Sequence, residues 1–254
     1  MRDFTLAAAQ ISCLAGNIEV NIERHAQAVA QAAKSDVDLL IFPELSLTGY
    51  ELELARKLGL TLQDPRLEIL RSQAKIHNMT IVVGAPLGCT DGDALYIGAV
   101  VFSPDGTLYS YTKQYLHADE DAFFTPGQGG PQLSVADKTL GIAICADIAE
   151  PSHPQYAADH GADIYAAGVL ISKPGYDKDS SMMRGYAEMH GMTVVMANHC
   201  APTGGWSPAG KSVIWSELGH VIAVGPEDKD AIVIARQTHN GWQGHVELLS
   251  YQGT

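Results

Sequence analysis

Three polar residues, Glu44, Lys113 and Cys145, stand where apolar runs end. Glu44 follows Leu39-Leu40-Ile41-Phe42-Pro43, Lys113 comes just after Leu108 to Tyr111, and Cys145 follows Gly141-Ile142-Ala143-Ile144. Strand ends are where α/β folds place ligands and reacting groups. A thiol becomes a nucleophile once a base or a lowered pKa removes its proton. A carboxylate can take that proton, and an ammonium can stabilise a developing negative charge. Each residue alone also has an ordinary structural reading. A cysteine after an apolar run is usually an inert core residue. A Pro-Glu carboxylate is usually solvated or capping, and a lysine after a tyrosine-bearing strand is usually a surface cation.

Other motifs point elsewhere and lack their context. Gly205-Trp206-Ser207-Pro208-Ala209-Gly210-Lys211-Ser212 matches the P-loop pattern letter for letter. A P-loop needs a helix opening at its lysine and serine, whereas Val213 to Trp215 and Val221 to Val224 read as strand, turn and strand. The ten histidines include no His-Glu-x-x-His, and His199-Cys200 is not a ligand set, so no metal is expected. His153 and His160, seven apart, are expected to share a helix face. No Gly-x-Ser-x-Gly elbow occurs, and Gly127-Gln128-Gly129-Gly130 reads as a turn rather than a dinucleotide fingerprint.

The elements that must position these residues alternate between β-type runs and helical patterns. Strands are expected over Phe4 to Gln10, Leu39 to Phe42, Thr80 to Gly84, Tyr96 to Ser103, Leu108 to Tyr111 and Leu140 to Ile144. Pro104-Asp105-Gly106 supplies a hairpin turn between the fourth and fifth. Later strands are expected over Thr193 to Asn198, Val213 to Trp215, Val221 to Val224 and Ala231 to Ala235. Helices are expected over Asn17 to Lys34, Leu67 to His77, Pro154 to His160 and Ser180 to Met192. Ile18, Ile22, His25, Val29 and Ala32 lie near one face of the first, and Asp64-Pro65 starts the second. No repeat or low-complexity linker divides the chain, so residues 1–254 are expected to form a single α/β domain with mixed strands.

Phe42-Pro43-Glu44-Leu45-Ser46-Leu47-Thr48-Gly49-Tyr50 resembles the glutamate motif of the nitrilase superfamily of carbon–nitrogen hydrolases. Tyr111-Thr112-Lys113-Gln114-Tyr115-Leu116 resembles its lysine motif, and Gly141-Ile142-Ala143-Ile144-Cys145-Ala146-Asp147 its cysteine motif. The order is the family's, and the resemblance runs from the first strand to about Val224. Glu120 before Phe123-Phe124-Thr125-Pro126-Gly127 is similar to the family's second glutamate, which positions the lysine and substrate. Arg184 to Glu188 and Val194 to Asn198 resemble the segment after the nucleophile. The resemblance implies a four-layer α-β-β-α sandwich that self-associates through its outer helices into a dimer or larger homo-oligomer. It implies hydrolysis of a small amide or carbamoyl compound. Cys145 would attack, Glu44 would serve as base, Lys113 and a backbone N–H near Ala146 would hold the oxyanion, and water would then cleave the thioester. Tyr50 and Ala146 are the candidate substrate contacts, and no cofactor is needed.

Departures from the family concern the pocket. Ala146 replaces a common aromatic residue, and Glu150-Pro151-Ser152 a Phe-Pro-Glu type sequence. Tyr115 replaces a common histidine, and Gly168 lies in a segment often carrying proline and polar residues. Two rival readings remain open: nitrile hydrolysis, and a non-catalytic small-molecule-binding protein on the same fold. The motif Leu47-Thr48-Gly49-Tyr50 is also similar to the glutaminase part of glutamine-dependent synthetases, although the chain shows no synthetase sequence.

Composition bounds the partners. A net charge of −13 repels phosphate backbones, so nucleic acid and anionic membrane are poor partners. No apolar stretch is long enough to span a bilayer. Cys13, Cys89, Cys145 and Cys200 are widely spaced, which fits reduced thiols in a cytoplasmic protein.

Overall fold

The computed structural model describes residues 3–88 and 94–251, so Cys89 lies outside the described residues. In chain order the strands are β1 (Phe4–Gln10), β2 (Leu39–Ile41), β3 (Thr80–Gly88), β4 (Leu95–Phe102), β5 (Leu108–Thr112), β6 (Leu133–Val135), β7 (Lys138–Ile144), β8 (Ile164–Val169), β9 (Thr193–Asn198), β10 (Val213–Trp215), β11 (Val221–Val224), β12 (Ala231–Thr238) and β13 (Gly241–Leu248). The α-helices are α1 (Ile18–Ala33), α2 (Ala55–Leu58), α3 (Glu68–His77), α4 (Ser152–Asp159) and α5 (Tyr176–His190).

Two mixed sheets result, one ordered β13-β12-β1-β2-β3-β4-β5 and the other β11-β10-β9-β8-β7-β6. β1, β2 and β3 run parallel, as do β7, β8 and β9. The alternation of side chains along each strand sorts the apolar residues into three layers. Leu6, Ala8, Leu39, Ile41 and Val82 of the first sheet pack on Ile142, Ile144, Ala166, Val195 and Ala197 of the second. Ala7, Ala9, Leu40, Ile81 and Val83 turn the other way, onto Ile18, Ile22 and Val29 of α1 and Leu70 and Ala74 of α3. Ala143, Tyr165, Ala167, Val194 and Met196 likewise pack on Ala157 of α4 and Met183 and Ala187 of α5. The architecture is therefore the four-layer α-β-β-α sandwich.

Local signals placed most boundaries. Asn17 caps α1 by accepting from Val20 N (3.2 Å), and Asp64 accepts from Arg66 N (3.0 Å) at the 3₁₀ turn that leads into α3. The Pro104-Asp105-Gly106 turn joins β4 to β5, with Gly106 at φ +85° and Asp105 accepting from Thr107 N. Three strands were not expected: β6, β8 and β13. β8 reads Ile-Tyr-Ala-Ala-Gly-Val, poor in β-branched residues, and is made by burial between β7 and β9. β13 is largely exposed and exists because β12 offers it a full antiparallel ladder. Helix α5 starts at Tyr176, four residues before the expected Ser180.

The P-loop reading fails on context. Ser212 leads directly into β10, not into a helix. Its hydroxyl is buried, accepting from Asn198 N, and Lys211 pairs outward with Glu227 at 2.8 Å. His153 and His160 do not share an environment: His153 is buried and His160 is exposed beside Tyr156. No helix among the described residues is long and apolar enough to cross a membrane. No group of three or more potential metal ligands occurs among them.

Candidate active site

Glu44 lies just past β2, Lys113 just past β5 and Cys145 just past β7, at one end of the sandwich. Lys113 is fully buried, which an ammonium tolerates only when paired. Its Nζ lies 2.7 Å from Glu44 Oε1 and 2.7 and 2.8 Å from the two carboxylate oxygens of Glu120. Burial alone would lower the Lys113 pKa, but the Glu44 and Glu120 carboxylates against it outweigh that and hold the ammonium protonated. Glu120 is fixed in turn by Tyr50 OH (2.6 Å) and by the backbone N–H of His117 (2.8 Å).

Glu44 uses one oxygen on Lys113. Its Oε2 is buried without a hydrogen-bond partner. Burial pushes the carboxyl up to about 7, with Lys113 pulling it back and Glu120 adding to the rise. Cys145 begins a 3₁₀ turn with φ +42°, in the left-handed region that non-glycine residues rarely adopt. The thiol reaches the Leu170 carbonyl at 3.6 Å. Burial and the Glu44 charge push the thiol pKa well up, against the pull of Lys113, so the sulfur holds its proton until a base takes it.

Cys145 opens into a cavity of about 280 Å³, lined also by Tyr50, His117, Ala146, Leu170 and Trp206. Both expected substrate contacts, Tyr50 and Ala146, are in this wall. Ala146 leaves room that a larger residue would take. A second cavity, about 410 Å³, is lined by Tyr111, Tyr115 and His153 and includes none of the four acid, base and thiol residues.

Residues not assigned a role from the sequence hold the site in place. Asp147 is fully buried. Its Oδ2 accepts from Ile144 N (2.9 Å) and Tyr111 OH (2.8 Å), and its Oδ1 from Gln114 N (2.9 Å) and Tyr115 N (3.0 Å). One carboxylate thus ties the cysteine turn to the lysine segment. His199 Nε2 donates to the Glu44 carbonyl at 2.7 Å. His25 stacks on Phe42 at 4.2 Å, and its Nε2 meets Ser46 Oγ at 2.9 Å. Asn198 brackets the backbone of Ile171, in the cavity wall, through both its amide atoms. Gly84 of β3 and Gly168 of β8 close on the Glu44 segment from opposite sheets: a Cβ at Gly84 would lie 2.3 Å from Pro43 O, and one at Gly168 2.6 Å from Phe42 O. The departure at Gly168 therefore has a steric reason. Asp147 and Asn198 stand in segments that resemble the family's and Gly168 among the departures from it, but what each of them touches depends on the fold.

The sequence profile of the carbon–nitrogen hydrolases matches residues 5–243, and the chain belongs to that family. It is 28% identical over 253 residues to the glutamine-dependent NAD(+) synthetase of Thermotoga maritima, a match covering 92% of this chain and 42% of the synthetase. The chain therefore spans less than half the length of that relative. It is 29% identical over 220 residues to the nitrilase of Pyrococcus abyssi, covering 85% and 82% of the two chains. Its fold matches that of a variant of the amidase from Nesterenkonia sp. AN1 that carries a Michael adduct of acrylamide on its active-site cysteine. That match has a TM-score of 0.82 and 24% identity, over 91% of this chain and 92% of the other.

Proposed function

We propose that the protein hydrolyses the carbon–nitrogen bond of a small amide or carbamoyl compound through a thioester on Cys145. The observation that carries this reading is the division of labour at Glu44: one oxygen is held by Lys113, the other is buried with no hydrogen-bond partner, and the Cys145 side chain acts on the same carboxyl. Glu44 takes the thiol proton as sulfur bonds to the amide carbon. The oxyanion is held by Lys113 and by a backbone N–H near Ala146. The C–N bond then breaks, and ammonia or an amine leaves with the proton from Glu44. Water, deprotonated by the same carboxylate, attacks the thioester and releases the acid and the thiol. Glu120 and Tyr50 position Lys113.

The acrylamide adduct on the active-site cysteine of the Nesterenkonia amidase supports a reactive cysteine in a protein of this fold. The Pyrococcus relative keeps nitriles as the second reading. The free thiols Cys13, Cys145 and Cys200 support a reducing, cytoplasmic setting. Exposed Tyr156 on α4 and Met189 on α5 support self-association through the outer helices. Residues 1–254 are read as one hydrolase domain.

The test is ammonia release from a panel of amides, carbamoyl compounds and nitriles, comparing native protein with Cys145→Ala. Release that the variant abolishes is expected. Release that persists would remove Cys145 from the reaction, and release from nitriles alone would favour the second reading.

A further inference from the structure

Glu51 has no part in the reaction, yet its carboxylate holds a turn at the rim of the active-site cavity. Thr203-Gly204-Gly205-Trp206 is a tight hairpin turn. Trp206 N donates to the Thr203 carbonyl (2.9 Å), and Gly204 and Gly205 both have positive φ, +54° and +78°. One oxygen of Glu51, Oε1, accepts from Gly204 N (2.9 Å) and from the Thr203 hydroxyl (3.2 Å). The same hydroxyl accepts from Tyr50 N at 2.8 Å. The approach leaves no room for a side chain: a Cβ at Gly204 would lie 2.0 Å from the Tyr50 carbonyl. Past the turn, the Ser207 carbonyl accepts from Lys173 N, and Ala209 N donates to Ile171, which is in the cavity wall. The backbone of Trp206 is thus pinned on both sides.

Trp206 lines the cavity with Cys145 and is 39% exposed, so it stands at the mouth. Its ring meets that of exposed His117 edge to face, 6.3 Å between centroids, and His117 N donates to Glu120. A ring left this exposed contributes less to the core than a buried one. A rigid wall at the mouth of the thiol's cavity, in contrast, decides what can enter. We infer that Trp206 is a size filter over Cys145 and that Glu51 is the positioning residue that holds it there. This rests on the reading of Cys145 as the nucleophile. The cavity volume of about 280 Å³ sits at the small end of ligand pockets, which run from roughly 300 to 1,000 Å³, so a wall that cannot swing aside excludes long substituents.

Two alkylating agents of different bulk, iodoacetamide and N-hexyl iodoacetamide, probe the filter directly. Peptide mass mapping reads the rate at Cys145, and each rate is divided by that with free glutathione. In the native protein the small reagent is expected to react at least about tenfold faster. Trp206→Ala is expected to bring the two rates within about twofold, with Trp206→Phe between. Glu51→Ala is expected to lower the native ratio about threefold, and Glu51→Gln, which keeps an acceptor for Gly204 N, to restore it. Labelling of buried Cys200 would reveal an unfolded alanine variant, and the Phe and Gln variants then carry the comparison. A native ratio near one, or a ratio that no Trp206 variant moves, would overturn the filter while leaving Cys145 the nucleophile. Equal slowing of both reagents in Glu51→Ala would overturn the role of Glu51, because the effect would then run through Tyr50 and Glu120 to Lys113. No labelling of Cys145 by iodoacetamide in native protein or in Trp206→Ala would overturn the nucleophile reading, and the filter with it.

Discussion

Glu44 and Lys113, 69 residues apart, meet at 2.7 Å through a single oxygen of the carboxylate, leaving the other oxygen buried and free. On the proposed mechanism this asymmetry is what lets Glu44 act as a base rather than as a counter-ion alone. Glu44→Gln keeps the shape and an acceptor for Lys113 but cannot take a proton. Ammonia release should fall about a hundredfold or more while the far-ultraviolet spectrum is unchanged. A variant that retains native rates would show that the proton goes elsewhere.

The same carboxyl sets the pH dependence. Burial raises it to about 7, and only its ionised form accepts the thiol proton. The value of kcat/KM should therefore fall as pH drops below about 7, by about tenfold per unit. An acid limb near the ordinary carboxylate range would mean that Glu44 is not the group being protonated.

Asp147 accepts four hydrogen bonds, two from the lysine segment, one from the cysteine turn and one from Tyr111. In Asp147→Asn one acceptor becomes a donor facing donors. The loss should cost about 2 kcal/mol or more, seen as a lowered urea midpoint. Activity measured well below that midpoint should fall mainly in kcat, because the thiol and the lysine lose their fixed relation. An unaltered kcat in folded protein would remove Asp147 from that role.

Gly168→Ala places a methyl 2.6 Å from the Phe42 carbonyl, too close for either backbone to stay in place. Overpacking of this kind costs about 1–3 kcal/mol, or several degrees of melting temperature. The displaced segment carries Glu44, so activity should drop by about tenfold or more at temperatures where the variant is folded. A calorimetric scan paired with an activity assay separates the two effects.

His25 and His199 are buried, and burial lowers their pKa values from 6.5 to about 3 and about 4. Below pH 6.5 the unfolded chain binds protons that the native state refuses, so stability falls as pH drops from about 6.5 towards 4. Glu44, raised from 4.5 to about 7, and Asp179, also raised by burial, act in the opposite sense, against three imidazoles once His153, lowered by burial too, is counted. Urea midpoints should therefore decline between about pH 6.5 and 4.5. A midpoint that rises on acidification would contradict the neutral burial of the two imidazoles.

Much of this protein is written locally. The apolar runs ending at Glu44, Lys113 and Cys145, the Asn17 and Asp64 caps and the Pro104-Asp105-Gly106 turn depend on neighbours in the chain, and their motifs carry the family. The apolar face of α1 was likewise legible, since helical periodicity alone aligns Ile18, Ile22, His25 and Val29. What only the tertiary structure decided is which distant groups share a small volume. β8 became a strand through its buried neighbours, and β13 through the open edge of β12. Glu44, Lys113 and Glu120 acquired their electrostatics by burial together; Asp147 bridged 33 residues to Gln114, and Trp206 came to line the cavity of Cys145. Local sequence specifies backbone preference and pattern, whereas pKa values, buried ion pairs and steric closure at Gly168 arise from atoms that meet only when the two sheets pack.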